Sequence, residues 1–163
     1  MSAIKINNQA LIDRLGQAAK AMTDTTPLTS AIASSFASVT DDNFESGGRP
    51  KWAGRKPTTI ASYKRRGMRY GGVLQATGHL RSQIVTQFTR TEAAIGTNVP
   101  YAPTMHFGAK QGQFGKTRRN TPIPWGDIEP RPFLPMDENE NLQPEAEREV
   151  FRDVDYYWQR IFD

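Results

Sequence analysis

The chain has 163 residues, 23% of them charged, a formal net charge of +4 and no cysteine. That length suits one domain with a buried core, and the charged share is close to the soluble average of about 25%. No apolar run is long enough to span a bilayer, the opening MSAIKINNQALIDRLG is too polar for a signal peptide, and the missing cysteines exclude disulfides and thiolate metal sites, which fits synthesis in a reducing cytoplasm.

Residues 6–22 read as a helix. Ile6, Leu11, Ile12, Leu15, Ala18, Ala19 and Met22 fall near a 3.6-residue period and form one stripe. The threonine cluster at 23–26 ends it. Thr26 and Pro27 open a second helix, with a hydroxyl at the cap and proline in the first turn, where no N–H is needed. This helix runs to about Phe44, with Leu28, Ile32, Phe36 and Val39 at helical spacing, and Gly47 and Gly48 stop it. A short turn between two such helices predicts an antiparallel hairpin.

Residues 47–72 are rich in Pro, Gly, Arg and Lys, with Trp52 and Tyr63 as isolated aromatics, and read as an exposed, partly mobile basic loop. Within it, Pro57 opens a short helix through Tyr63 to Arg66. Thr77 and Gly78 make a turn that leads into Leu80 to Ile84. Alternation then predicts a strand over residues 85–90 and a partner strand over 92–96, joined as a hairpin. Pro100 turns the chain by forcing Val99 out of helical geometry. Residues 101–107 read as a short helix with Tyr101, Met105 and Phe107 facing inward.

Residues 109–121 are Gly-rich, polar and basic, the best candidate for disorder before assembly. Five prolines between 122 and 135 forbid a helix and favour an extended ribbon, with Ile123, Trp125, Ile128, Phe133 and Leu134 as anchors. A final helix spans Pro144 to Phe162. Ala146, Val150, Val154, Tyr157 and Ile161 share a face, Phe151 and Trp158 widen it, and glutamates in the first turns suit the helix dipole. The fold class is α+β: an N-terminal helix pair, a small antiparallel β-sheet, an extended proline-rich segment and a C-terminal helix. The whole of residues 1–163 reads as a single domain, with flexible loops at 47–72 and 109–121.

Charge is unevenly spread. Residues 47–81 hold nine cations and no acid, whereas residues 127–163 hold eleven acids against four arginines. Two solvated faces that neutralise each other within one fold is one reading. A chain with a basic and an acidic end, suited to head-to-tail contact between subunits, is the other.

Catalytic chemistry finds little support. His79 and His106 are the only histidines, and only Glu92 lies between them among the acids, so no metal or acid–base site is expected. Ser82 lacks nucleophile-elbow glycines, and phosphate-loop, dinucleotide and zinc motifs are missing. The basic loop with Trp52, Tyr63 and Tyr70 invites a nucleic-acid reading, cations to phosphate and aromatics to bases, but no known binding module accompanies it.

Taken in order, NFESGG (43–48), KWAGRKPTTI (51–60), Leu74 with Thr77, Gly78, Leu80, Arg81 and Ile84, then Gly96 to Ala102 with Pro100 and Tyr101, His106-Phe107-Gly108, and Arg131-Pro132-Phe133-Leu134 resemble the virion morphogenesis (tail completion) family of Mu-like tailed phages. The resemblance covers residues 10–137. The long basic stretch at 109–121, Trp125 to Glu129, and PMDENENLQ after Leu134 depart from the pattern. The resemblance implies a structural part of a phage particle without catalysis or cofactor, acting in tail completion or head–tail joining at the neck. It also implies a ring homo-oligomer, with a hexamer expected, that meets other head, neck or tail proteins and no membrane. Trp52, Arg55, Lys64, Arg65, Arg66, Arg69, Lys116, Arg118 and Arg119 are the candidate docking residues. Arg131 reads either as a buried clamp to a carboxylate or as exposed in the ribbon, a structural tie being favoured, and Gly78, Gly96 and Gly108 are expected to be turn glycines. The alternative is a DNA-binding accessory protein that holds the genome end in the neck.

Overall fold

The computed structural model describes residues 9–137, 139 and 141–162, so Ile6 of the predicted first stripe lies outside them. The elements in chain order are α1 (Gln9–Thr23), α2 (Thr26–Ser46), α3 (Pro57–Arg65), α4 (His79–Ser82), β1 (Ile84–Phe88), β2 (Ala93–Thr97), α5 (Ala102–Phe107) and α6 (Pro144–Phe162). This is an α+β architecture with the helices, hairpin, ribbon and terminal helix in the expected order.

Helix α2 is the spine, packing against α6 and both strands. Its start is anchored on both sides. Asp24 Oδ1 accepts hydrogen bonds from the Thr26 N–H at 3.1 Å and the Thr26 hydroxyl at 2.6 Å, with Pro27 in the first turn. The residue before the helix is therefore Thr25, not Thr26. Its hydroxyl donates to the Arg90 carbonyl, and the Thr29 hydroxyl donates to the Thr89 carbonyl at 2.6 Å. Both acceptors sit in the β1–β2 turn, so α2 holds the hairpin from its first residues. At the other end Gly47 takes the left-handed conformation, φ 75°, and stops the helix. Gly48 follows at φ 99°, and a Cβ there would lie 2.4 Å from the Trp52 ring. Glycine is needed at that position for space as well as for φ.

Strands β1 and β2 pair antiparallel from Ile84 opposite Thr97 to Phe88 opposite Ala93. A two-stranded hairpin is marginal alone in water, and packing on α2 supports it. Gly96 sits inside β2 opposite Val85, not in a turn as expected. Gly78 and Gly108 do occupy positive-φ positions.

The core gathers Phe44 of α2, Trp52, Leu80 of α4, Val99, Ala102 of α5 and Phe133 of the ribbon. Trp52 meets Phe44 edge-on, with centroids 5.6 Å apart, and Phe133 lies 5.8 Å from Phe44. Such pairs add to area burial. Trp52 Nε1 also donates to the Pro132 carbonyl at 2.9 Å, which satisfies its buried N–H. Beside this cluster lies a closed polar network. Fully buried Asn43 donates to Gln143 Oε1 at 2.9 Å and to the Phe133 carbonyl at 3.3 Å, and accepts from Arg49 Nε at 3.0 Å. Gln143 Nε2 returns a bond to the Arg49 carbonyl at 3.2 Å.

Several expected inward faces point outward. α1 buries none of its residues, and its stripe is open to solvent, with Leu15 58% and Met22 70% exposed. Its packing partner is α6 rather than α2. Arg14 donates to the Phe162 carbonyl at 2.6 Å and the Tyr157 hydroxyl to the Ala21 carbonyl at 2.9 Å. Periodicity reported an amphipathic helix correctly but could not say what covers the apolar side. Tyr101 and Phe107 also face out while Ala102 and His106 are buried, because the short α5 turns its 102/106 edge to the core. Phe151 of α6 and Ile123 and Trp125 of the ribbon are exposed as well.

Asn43→Ala leaves Gln143, the Phe133 carbonyl and Arg49 without their buried partner. It should cost about 3 kcal/mol, at the upper end for a lost buried hydrogen-bonding group, as measured by urea unfolding. His106 is a second check. It is 2% exposed, its Nδ1 accepts from the Phe133 N–H at 3.3 Å, and its Nε2 makes no hydrogen bond among the described residues. Burial lowers its pKa below 6.5, opposed by the backbone and charge of Asp137. The unfolded chain therefore binds more protons below about pH 6.5, and stability should fall as pH drops from 7 to 5. His106→Asn keeps an acceptor for Phe133 and should flatten that fall in a thermal-melting series.

Candidate interaction surfaces

A groove of about 800 Å³ opens between α3, residues 73–80, α5 and the 125–131 segment of the ribbon. Val73, Leu74, Leu80 and Met105 line it with apolar surface, and Tyr63, Tyr101 and Trp125 add aromatic walls. Arg55, Lys56 and Arg131 bring cations, while Asp127 and Glu129 bring acids.

The groove cations are held in place by backbone carbonyls. The Arg55 guanidinium donates to the Gly71 and Gly72 carbonyls and lies 4.9 Å from the Tyr70 ring centre and 5.6 Å from that of Tyr63. Lys56 donates to the Asp127 carbonyl. Arg131 donates from Nε to the Ala53 carbonyl at 2.9 Å and from Nη2 to the Gly54 carbonyl at 3.1 Å, with Nη1 on the Glu129 carbonyl at 3.2 Å. Arg131 is a structural tie, and its targets are carbonyls rather than a carboxylate. Burial pushes its pKa down, and Arg55 adds to this while Glu129 opposes it.

The other candidate docking residues fall into two groups. Lys64, Arg65, Arg66 and Arg69 are exposed at and just beyond the end of α3. Cations there suit the negative end of the helix dipole. Arg66 bonds Ser62 of its own helix at 2.7 Å, and no carboxylate pairs with any of the four among the described residues. Lys116, Arg118 and Arg119 are exposed on an arm made by residues 109–128. The arm's two legs are joined by hydrogen bonds from Phe114 to Ile123, from Ile123 to Gly115 and from Thr117 to Thr121, each at 2.8 Å. At its base, Ala109 and Ile128 exchange bonds at 2.9 and 2.8 Å, and Lys110 reaches Asp127 at 3.4 Å. Gly108 fits there because a Cβ would meet the Ile128 carbonyl at 2.6 Å. Phe114 and Trp125 stand open to solvent on this arm. Trp52, in contrast, is a core residue and offers no surface to a partner in this conformation.

The remaining motif residues build the scaffold around the groove. The Thr77 hydroxyl accepts from the His79 N–H at 3.3 Å, and Gly78 at φ 76° starts α4, which buries Leu80. Arg81 forks to Asp41 at 2.9 Å and Glu45 at 3.2 Å, both on α2, and these bonds raise its pKa. Exposed Pro100 precedes Tyr101, which leads into α5. Pro132 and Phe133 close the core as described above. The network of Asn43, Arg49 and Gln143 was missed by sequence reasoning. Its one sequence signal is an asparagine four residues after Val39, on the apolar side of a helix.

Among the described residues no group of three His, Asp or Glu side chains could hold a metal ion, and no helix is long and apolar enough to cross a membrane. His79 is exposed and His106 is packed in the core. The fold exposes an apolar groove with tethered cations, a basic helix end, a basic arm, and apolar residues of α1 and α6.

Arg131→Lys keeps the charge but cannot span two carbonyls with one planar group. It should lower stability by about 1–2 kcal/mol in urea unfolding, with far-ultraviolet circular dichroism unchanged.

Residues 6–157 match the phage virion morphogenesis family. The chain is also 34% identical over 162 residues to "Mu-like prophage FluMu G protein 2" of Haemophilus influenzae, covering 99% of each chain. No solved structure matches it. The motif residues that build the groove thus lie within a match that spans almost the entire sequence, and the chain belongs to the phage virion morphogenesis family.

Proposed function

We propose that this protein is a non-enzymatic structural subunit of a tailed-phage particle, acting in tail completion or in joining head to tail at the neck, and that it works as a ring of identical copies. The family sets the broader frame of virion assembly. The observation that carries the finer reading is the α1 helix. It is amphipathic, yet the large side chains of its apolar stripe, Leu11, Ile12, Leu15 and Met22, are exposed. Exposed apolar stripes of this kind mark contact surfaces more often than free ones. Seven cations on the α3 end and the arm also have no carboxylate partner among the described residues, which leaves them for another molecule. A ring needs two unlike surfaces on each subunit, and the basic and acidic portions of this chain supply them.

A second reading rests on the same exposed cations. In the neck, Lys64, Arg65, Arg66 and Arg69 would meet DNA phosphates, and affinity for duplex DNA would fall steeply with salt.

Reversing Arg65, Arg66 and Arg69 to Glu should block the formation of infectious particles while the purified variant keeps its circular dichroism and melting temperature. Electron microscopy of lysates from a phage carrying the variant should show heads and tails unjoined or tails unfinished. Normal particles at normal titre would refute the role assigned to this surface.

A further inference from the structure

We propose that the outer face of α6 on one copy seats in the groove beside α3 of the next copy, so that successive subunits join head to tail. This rests on the reading of the chain as a self-assembling subunit and names the contact.

Glu147, Phe151 and Asp155 follow one another at four-residue spacing on α6, so they lie along one line of the helix. All three are exposed, Phe151 at 61%. The neighbouring acids Glu145 and Glu149 are taken by Arg148 and Arg152. Glu147 and Asp155 have no ion-pair partner among the described residues. α6 therefore presents an aromatic knob between two uncompensated carboxylates.

The groove has the matching character. Leu74, Leu80 and Met105 give it an apolar lining that accepts an aromatic ring. Arg55, Lys56 and Arg131 direct their hydrogen bonds at neutral carbonyls, so their positions are fixed and none forms an ion pair among the described residues, although Asp127 lies near Lys56 and Glu129 near Arg131. Of the two acids in the groove, Asp127 is already engaged by Lys110 and the Gln111 N–H. The exposed cations at the end of α3 extend the positive field beyond the groove. An amphipathic helix laid in a groove is a common recognition mode, with anchors at turn-repeat spacing. Charge complementarity sets its direction and excludes wrong partners.

α6 packs on α2 and α1 of its own chain and does not line that chain's groove, so an α6 seated there would belong to another copy. Helix and groove are unlike surfaces, and their contact is heterologous, the kind that closes into rings. A nucleic-acid backbone would match only the cations and would leave the apolar lining unfilled. That favours the acidic, aromatic helix.

The absence of native cysteine makes the test clean. Thr58→Cys places a thiol at the groove, and Gln159→Cys places one on the next turn of the α6 outer face. Mixed and oxidised, the two variants should form a disulfide between unlike chains, and neither variant should cross-link alone. Light scattering should show a wild-type oligomer, and Phe151→Ala should weaken self-association about thirtyfold, as expected of a central aromatic anchor, with circular dichroism unchanged. A wild-type oligomer that ignores Phe151→Ala, or a Gln159→Cys chain that cross-links to itself, overturns this contact and leaves self-assembly standing. A wild type that stays monomeric at every concentration overturns self-assembly too. Protection of the Thr58→Cys thiol from alkylation by short duplex DNA, with none by added protein, overturns the proposal in favour of a nucleic-acid face.

Discussion

The fold depends on the contacts of one buried side chain, Asn43. Through it the end of α2, the turn that carries Arg49, the ribbon at Phe133 and the approach to α6 at Gln143 share one hydrogen-bonded network. Every member is paired, which is the condition for a buried polar cluster to specify structure rather than weaken it. The aromatic cluster of Phe44, Trp52 and Phe133 packs beside it. Apolar packing supplies the driving force, and the amide network sets which segments meet. Segments 90 to 100 residues apart in sequence are brought to one point by a single asparagine.

That economy explains the division of the molecule. The core is small and sits where α2 ends, α4, α5 and the ribbon meet. Much of the remaining surface is shaped but unfilled: a groove held open by Arg55 and Arg131, an arm joined mainly to itself, and two terminal helices with apolar residues facing solvent. Each cation at the groove is immobilised by carbonyls, so it can receive a carboxylate without paying again for side-chain ordering.

Much of the architecture was legible in the sequence. The starts and stops of α2, α3 and α6 follow from Pro27, Pro57, Gly47 and Pro144, whose effects are local. The β1–β2 hairpin follows from period-two alternation broken at Arg90 to Glu92. The tying role of Arg131 was also legible, although its partners were not. Spacing turns Tyr101, Phe107, Phe151 and the α1 stripe inward, and they lie outward. Composition places Trp52 in a basic docking loop, and it is a core residue. In each case, composition near the residue was a poor guide to its neighbours in space.

The sequence by itself determined the order and type of the elements, the separation of basic from acidic segments, and the family, because these depend on local backbone preferences, periodicity and ordered motifs. Only the tertiary structure decided which apolar faces are covered. Burial depends on where α2, the ribbon and α6 meet, and that meeting is set by Asn43, Gln143 and Trp52, residues far apart in the chain. The groove and its tethered cations are likewise a product of packing. Arg55 and Arg131 become surface features with fixed positions only when the carbonyls of Gly71, Gly72, Ala53 and Gly54 are folded into their reach.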